Sequence, residues 1–363
     1  MKGLFINNFQ AKDSIFESGK MVYNCLLGSK KFTLDYIEIS DLAREISLGY
    51  DFYFFNYHPV TMGWLDTKNL KRDLGYVGTI VLEVAPGDPF VLCPEKDFSF
   101  YCVLDPTLKP KKKNIYSFPR PLEEIGFNLP ENKNEIPVIG TFGFATKGKG
   151  FQHVVEAVNI EFDKAVVKIN IPYGDFVPNS REYAEYLAGV CIQKAKKGID
   201  VIVTNNFMDK EELIKWCAGN TLNCFLYDRN MPGLSATTDQ AIVAERPLAI
   251  SDNDTFRHII TYLKPYPAWT LKESITNSIP LVKKMKEDWS TENFVKKFEL
   301  ILEENHNLIH KTNSSHLNFA LPIKKKSIID AIEKRIKKYK RKLKKINLTT
   351  LARNDTKRTK KII

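Results

Sequence analysis

Residues 138–150, VIGTFGFATKGKG, run from a short apolar stretch into a loop rich in glycine and lysine. The following residues, 151–158, repeat apolar side chains at helical spacing. The pattern over 138–158 therefore predicts a strand, a loop and a helix. Further apolar runs alternate downstream with helical stretches, at 165–173, 200–207, 222–228 and 247–251. This alternation of helices with nearly continuous apolar strands is typical of a parallel sheet covered on both faces.

The N-terminal part repeats the alternation less regularly, with strand candidates at 2–9, 50–58, 78–86 and 98–106. We therefore predict an α/β fold with two Rossmann-like domains facing a cleft, plus a C-terminal basic helix. The predicted segments are an N-terminal domain at 1–115, an interdomain linker at 116–136, a C-terminal domain at 137–270, helices packing back across the domains at 271–305, and a basic tail at 306–363.

The composition agrees with two globular domains. A chain of 363 residues with 43% hydrophobic and 27% charged residues is neither disordered nor fibrous. It holds no apolar run of the ~20 residues that span a bilayer, and its N-terminus lacks a secretory leader pattern. The six cysteines are dispersed without a zinc-binding spacing, which indicates reduced side chains and a cytoplasmic protein.

The positive charge is concentrated in the tail. Residues 324–363 hold 17 of the 54 Lys and Arg residues but three of the 43 acidic residues, so the rest of the chain is slightly acidic. Any preference for an anionic partner therefore belongs to the tail.

The loop at 143–150 has the features of a phosphate site. Glycines such as Gly143 and Gly150 allow backbone N–H groups to approach an anion, and a helix N-terminus favours negative charge. Lys147 or Lys149 would neutralise a diphosphate. The alternative is an ordinary strand–helix turn with solvated lysines. The spacing also matches a P-loop up to its last position, where Gly150 replaces the magnesium-binding hydroxyl, so an NTPase is disfavoured.

Three segments together, at 140–158, 200–220 and 226–251, resemble the C-terminal half of GT-B glycosyltransferases of the retaining, group-1 type. The resemblance implies transfer of a sugar, with retention, from a nucleotide-sugar donor held by the C-terminal domain to an acceptor held by the N-terminal domain. Lys149 matches the family's lysine that contacts the donor diphosphate. The implied catalytic set is His58, Lys149 and Asp239.

The sequence departs from that family at three positions. Thr141 stands where a second basic phosphate contact is usual, and Pro232 and Gln240 stand where paired glutamates are usual. Asp239, next to Gln240, is the candidate to replace the second glutamate and bind the ribose or sugar.

Further donor-binding candidates flank a predicted helix start. Hydroxyl and carboxylate side chains there either present themselves to a phosphate or simply cap the helix. His58 ends an N-terminal strand, where a structural role is the alternative to catalysis. The remaining predicted substrate-binding residues are Arg229, Gly233, Leu234, Ser235, Thr238 and Arg257.

The family's mechanism lets the departing diphosphate deprotonate the acceptor, and the chain has no Asp-x-Asp motif to hold a metal. We therefore expect no metal site and no cofactor, the nucleotide-sugar being a substrate.

In the tail, apolar residues recur at steps of three and four between Ile329 and Ile346, on a helix predicted over 325–346. This pattern suits a basic helix lying on an anionic membrane surface, or a coiled coil. We expect the membrane, with a cell-surface or lipid-linked glycan as the acceptor and a peripheral location at the inner membrane surface. The alternatives are a glycosyltransferase that modifies nucleic acid, and a catalytically silent nucleotide-sugar-binding protein.

Overall fold

The computed structural model describes residues 1–9, 14–122, 124–131, 133–174, 179–229, 233–309 and 318–324. The chain divides into two compact units. Unit 1 contains the described residues of 1–121, Gly233, and the described residues from Glu292 onward. Unit 2 contains those of 122–229 and 234–291. The first division, between residues 121 and 122, falls within the segment predicted as a linker.

The described strands are β1 (Lys2–Asn8), β2 (Thr33–Ile39), β3 (Glu45–Ser47), β4 (Phe52–Phe55), β5 (Val77–Val81), β6 (Phe100–Val103), β7 (Ile115–Ser117), β8 (Val138–Phe142), β9 (Ala165–Asn170), β10 (Ile199–Thr204), β11 (Leu222–Phe225), β12 (Leu248–Ile250) and β13 (Asn318–Ala320). The α-helices are α1 (Ser14–Leu26), α2 (Leu70–Leu74), α3 (Phe151–Glu161), α4 (Ser180–Lys194), α5 (Lys210–Ala218), α6 (Thr237–Val243), α7 (Arg257–Ile260), α8 (Leu271–Asn277), α9 (Ile279–Asp288) and α10 (Thr291–Glu304).

Unit 1 is built on a parallel sheet of six strands in the order β2-β1-β4-β5-β6-β7. Both faces are buried at the inner strands, which are apolar at nearly every position, as in Phe52–Phe55. Phe298 of α10 packs against the sheet residues Phe52, Phe54 and Phe100. The short strand β13 pairs antiparallel with β3, with Phe319 opposite Ile46.

Unit 2 is built on a parallel sheet of five strands in the order β10-β9-β8-β11-β12. Helix α3 buries Phe151, Val154 and Val158 against this sheet, which follows from their helical spacing. Strands β8 and β11 are neighbours, with Ile139 opposite Leu222. Because parallel strands end at the same edge of a sheet, the loops that follow β8 and β11 meet there.

These two parallel sheets with covering helices confirm the predicted α/β class. Residues 271–305, predicted to pack across the domains, divide between the units: α8 and α9 lie in unit 2, whereas α10 lies in unit 1 from Glu292 onward. No described helix is long and apolar enough to cross a membrane. The predicted basic helix at 325–346 lies outside the described residues, and the cleft stays a prediction.

Candidate functional site

The loop after β8 and the segment after β11 lie side by side, residue against residue. Gly150 has a φ of 66°, and a Cβ there would lie 1.8 Å from the carbonyl oxygen of Leu226. The Asp228 N–H donates to the Gly148 carbonyl at 3.1 Å. A Cβ on Gly148 would lie 2.5 Å from the Cβ of Arg229. Glycine at 148 and 150 is therefore what lets the two segments approach so closely.

Lys149 extends from the middle of this pairing into a chain of hydroxyl groups. Its Nζ donates to the Tyr227 hydroxyl at 2.7 Å and lies 4.4 Å from the centroid of the same ring. The Tyr227 hydroxyl lies 2.9 Å from Thr237 Oγ1, which lies 2.8 Å from Ser235 Oγ. The Lys149 ammonium also lies beside Gly143, where a Cβ would be 3.3 Å from Nζ. The structure thus brings the 143–150 loop and the 235–237 segment together at one ammonium group.

Burial governs the electrostatics of this group. It lowers the pKa of Lys149, and the neighbouring Arg229 charge lowers it further, while Tyr227 opposes both effects. Burial alone would raise the pKa of the Tyr227 phenol, but Lys149 and the hydroxyls of Thr237 and Ser235 outweigh it, so that pKa is lowered. The partner of the ammonium is a phenol and not a carboxylate, so the positive charge is not neutralised at this contact.

The N-terminus of α3 adds a second attraction for an anion. The N–H groups of His153 and Val154 are bonded to the Gly150 carbonyl, so those of Phe151 and Gln152 have no acceptor within the helix. The first turn of α3 carries no acidic residue. A cavity of about 210 Å³ opens on this side, lined by the 148–152 segment and by Tyr183 and Tyr186 of α4. Lys147 is exposed at the loop surface.

Arg229 lies on the Gly148 side of the loop. Its Nε is buried and has no hydrogen-bond partner in the part of the chain that the structure describes. The preceding Asp228 carboxylate is 3.3 Å from His153 Nε2, and this contact lowers the pKa of Asp228 and raises that of His153. The Asp228 carboxylate is therefore paired with the His153 ring.

The structure spreads the other predicted donor residues over different environments. Thr238 is fully buried and its hydroxyl donates to the Ser235 carbonyl at 3.2 Å, which is a structural contact. Leu234 and Asp239 are half-buried at the start of α6. The N–H of Gly233 donates to the Val84 carbonyl at 3.1 Å, so that amide is not available to a phosphate.

Arg257 and His58 have environments of their own. The Arg257 guanidinium donates to the Asp254 carbonyl at 2.8 Å. His58 belongs to unit 1, where it follows β4, is 4% exposed and accepts from the Val60 N–H through Nδ1. Its Nε2 is buried and has no partner within the described ranges, and burial lowers the pKa of His58 to about 4.

The sequence reasoning missed Tyr227 as the partner of Lys149. The signal was its position, at the end of the apolar run 222–228 and directly before the polar pair Asp228 and Arg229. It also missed the amide cluster of unit 1, where Asn56 Nδ2 donates to Asn7 Oδ1 at 2.8 Å. Asn8, which ends β1, is 2% exposed, and neither of its side-chain polar atoms has a partner among the residues that the structure describes. Among the described residues, no group of three or more His, Cys, Asp or Glu side chains could hold a metal ion.

No protein-family model matches the chain, and no curated protein matches it. Its fold is similar to that of several solved structures. Anabaena HepE in complex with UDP and glucose has a TM-score of 0.57 and 9% identity, over 84% of this chain and 100% of that one. The trehalose-6-phosphate protein from E. coli bound with UDP-2-fluoro glucose has a TM-score of 0.56 and 10% identity, over 84% of this chain and 99% of that one. The N-terminal domain of Candida albicans trehalose-6-phosphate phosphatase has a TM-score of 0.54 and 9% identity, over 84% of this chain and 96% of that one. At such identities the likeness shows the fold, and it confirms the predicted GT-B class.

Proposed function

We propose that this protein is a glycosyltransferase that takes a sugar from a nucleotide-sugar donor. One observation carries the proposal. The Lys149 Nζ lies 2.7 Å from the Tyr227 hydroxyl oxygen, at the place where the loops after β8 and β11 meet beside the N-terminus of α3. A half-buried cation next to N–H groups that have no acceptor within their own helix is suited to a diphosphate. The likeness to structures that contain UDP and UDP-2-fluoro glucose supports a UDP-sugar as the donor class.

In the proposed reaction, the bond between the sugar carbon and the diphosphate oxygen breaks while the acceptor oxygen bonds to that carbon. The acceptor proton passes to the departing diphosphate. Negative charge develops on the diphosphate, and Lys149 with the α3 N-terminus stabilises it in a partly buried site where such interactions are strong. Attack on the face that the diphosphate leaves gives retention, which we propose here from the group-1 resemblance.

Hydroxyl residues stand in the sequence between positions 232 and 240, where the resembling family has its paired glutamates. Ser235 and Thr237 continue the chain from Tyr227, and Asp239 lies in the first turn of α6. We propose that these hydroxyls accept and donate hydrogen bonds to the ribose or to the sugar.

The donor site is tested by replacing Lys149. Lys149→Met removes the charge, and we expect UDP binding measured by calorimetry to weaken by about 10- to 100-fold, since a hydrogen bond to a charged group contributes about 1.5–3 kcal/mol. Lys164→Met is the matched control, because it removes an exposed lysine of unit 2 outside the predicted site. Wild-type affinity in Lys149→Met would refute the phosphate role.

The proposed acceptor is a glycan or a lipid-linked glycan presented at an anionic membrane. The basic tail supports this proposal, because each Lys or Arg near an anionic surface contributes about 1 kcal/mol of attraction. Truncation at residue 324 should abolish co-sedimentation with vesicles that contain phosphatidylserine. Loss of RNA or DNA binding with vesicle binding intact would favour the nucleic-acid-modifying alternative instead.

A catalytically silent nucleotide-sugar-binding protein is the second candidate. Pro232 and Gln240 at the positions of the family's glutamates favour it. Release of UDP from UDP-sugars distinguishes the two, because a silent protein binds the donor and releases none with any acceptor. NMR of the product anomeric proton would test retention.

A further inference from the structure

We infer that Arg229 is the second cation of the diphosphate site, supplied by the segment after β11 in place of the loop after β8. The inference rests on the proposed function, since it assigns a further residue to the same donor site. It also explains how the site works although Thr141 stands at the position of the family's second basic residue.

Thr141 itself takes no part in binding. It lies within β8, is fully buried, and its hydroxyl has no hydrogen-bond partner among the described residues. Its backbone is paired with Ile169 of β9, so the residue belongs to the interior of the sheet. A second cation must therefore come from another segment.

The backbone of the segment after β11 places Arg229 beside the 143–150 loop. Because Gly148 has no Cβ, the Cβ of Arg229 packs directly on the loop one residue before Lys149. The Asp228 N–H fixes the same approach through its bond to the Gly148 carbonyl. The Arg229 side chain therefore starts beside the loop, next to the residue that precedes Lys149.

The charge balance around Arg229 favours an anion. Within the described residues, no ion pair joins Arg229 or Lys149 to a carboxylate, and residues 230–232 include no acidic residue. The nearest carboxylate along the chain, Asp228, is engaged with His153 at 3.3 Å. Burial lowers the pKa of Lys149, and the Arg229 charge lowers it further. Two neighbouring cations without a counterion repel each other, and a diphosphate between them relieves that repulsion.

The chemistry of the guanidinium suits the same ligand. Its planar fork binds two phosphate oxygens at once, whereas Lys149 supplies a point charge already oriented by Tyr227. The buried Nε without a partner is the donor that a phosphate oxygen would satisfy.

The test measures UDP, UMP and uridine binding to the full chain by calorimetry. We expect Arg229→Gln to weaken UDP binding by about 10- to 100-fold, UMP binding by less and uridine binding hardly at all, because the lost contact is to phosphate. Arg229→Lys should restore part of the UDP affinity. Lys164→Gln, which removes an exposed charge of the same unit directly before β9, should match the wild type.

The ratio of the UMP and UDP dissociation constants is the decisive quantity, because partial unfolding of a variant changes both constants equally. An unchanged ratio in Arg229→Gln, with Lys149→Met impaired, overturns this inference and leaves the proposed function standing. Equal loss of uridine and UDP binding also overturns it, since that pattern marks a structural role. Failure of the wild type to bind UDP or any other nucleoside diphosphate overturns both.

Discussion

Gly150→Ala should destabilise unit 2 strongly. The added Cβ would lie 1.8 Å from the Leu226 carbonyl oxygen, which is backbone and cannot rotate away. The residue also has a φ of 66°, and the left-handed region costs a non-glycine residue about 1–2 kcal/mol. Overpacking against backbone adds about 1–3 kcal/mol, so we expect a total of about 2–5 kcal/mol.

Gly189→Ala provides the matched control. It lies inside α4, and a Cβ there would meet no atom within 4 Å. Alanine in a helix interior is favoured over glycine by about 0.5–1 kcal/mol, so this variant should gain stability.

Thermal unfolding compares the two variants. A domain of the size of unit 2 loses about 2–4 °C for each kcal/mol, which predicts a fall of roughly 4–20 °C for Gly150→Ala and a slight rise for Gly189→Ala. Hydrogen exchange of the α3 and β11 peptides would locate the effect. Equal melting temperatures and unchanged protection in Gly150→Ala would refute the close pairing of the two loops.

Two further predictions concern Tyr227 and His58. Tyr227→Phe keeps the ring but removes the hydroxyl that orients Lys149, so we expect roughly tenfold weaker UDP binding with little loss of folding; unchanged affinity would show that the phenol does not position the ammonium. His58 has its pKa lowered to about 4 by burial, so the unfolded chain binds a proton between about pH 6.5 and 4 that the native state does not. The contribution of neutral His58 to the free energy of unfolding is therefore complete above pH 6.5. That free energy falls by roughly 3 kcal/mol as the pH approaches 4. His58→Asn keeps an acceptor for the Val60 N–H and cannot titrate; urea unfolding at pH 7 and pH 4.5 should show a smaller pH effect in this variant, and an equal effect would assign the pH dependence to other groups.

The fold was predictable because its strands are apolar on both faces. A buried parallel strand such as Phe52–Phe55 has no polar position, and the helices between strands repeat apolar residues at helical spacing. The assignment of the C-terminal helices was less predictable. Helices α9 and α10 are both amphipathic, and only the packing shows that Met285 belongs to the core of unit 2 and Phe298 to that of unit 1.

The part of the site that could be predicted is the part where the backbone geometry requires a particular residue type. Glycines around a lysine at a strand–helix junction indicate an anion site, and the structure does bring Gly150 and Lys149 together with the segment after β11. Side-chain pairings across that junction are set by three-dimensional register, so neither the Lys149–Tyr227 bond nor the bond from Gly233 to Val84 was readable from spacing.

The hydroxyl chain from Tyr227 to Ser235 changes the charge of the site as well as its contacts. A carboxylate beside Lys149 would neutralise the ammonium before a ligand arrives, whereas a phenol and two neutral hydroxyls leave the positive charge available. Because Arg229 adds a second cation, a dianionic ligand gains from both charges without first breaking an ion pair. The same argument makes UDP affinity sensitive to ionic strength, since salt competes with the ligand for uncompensated cations. A site of this kind distinguishes UDP from UMP by charge, and it leaves recognition of the sugar to the neutral hydroxyls.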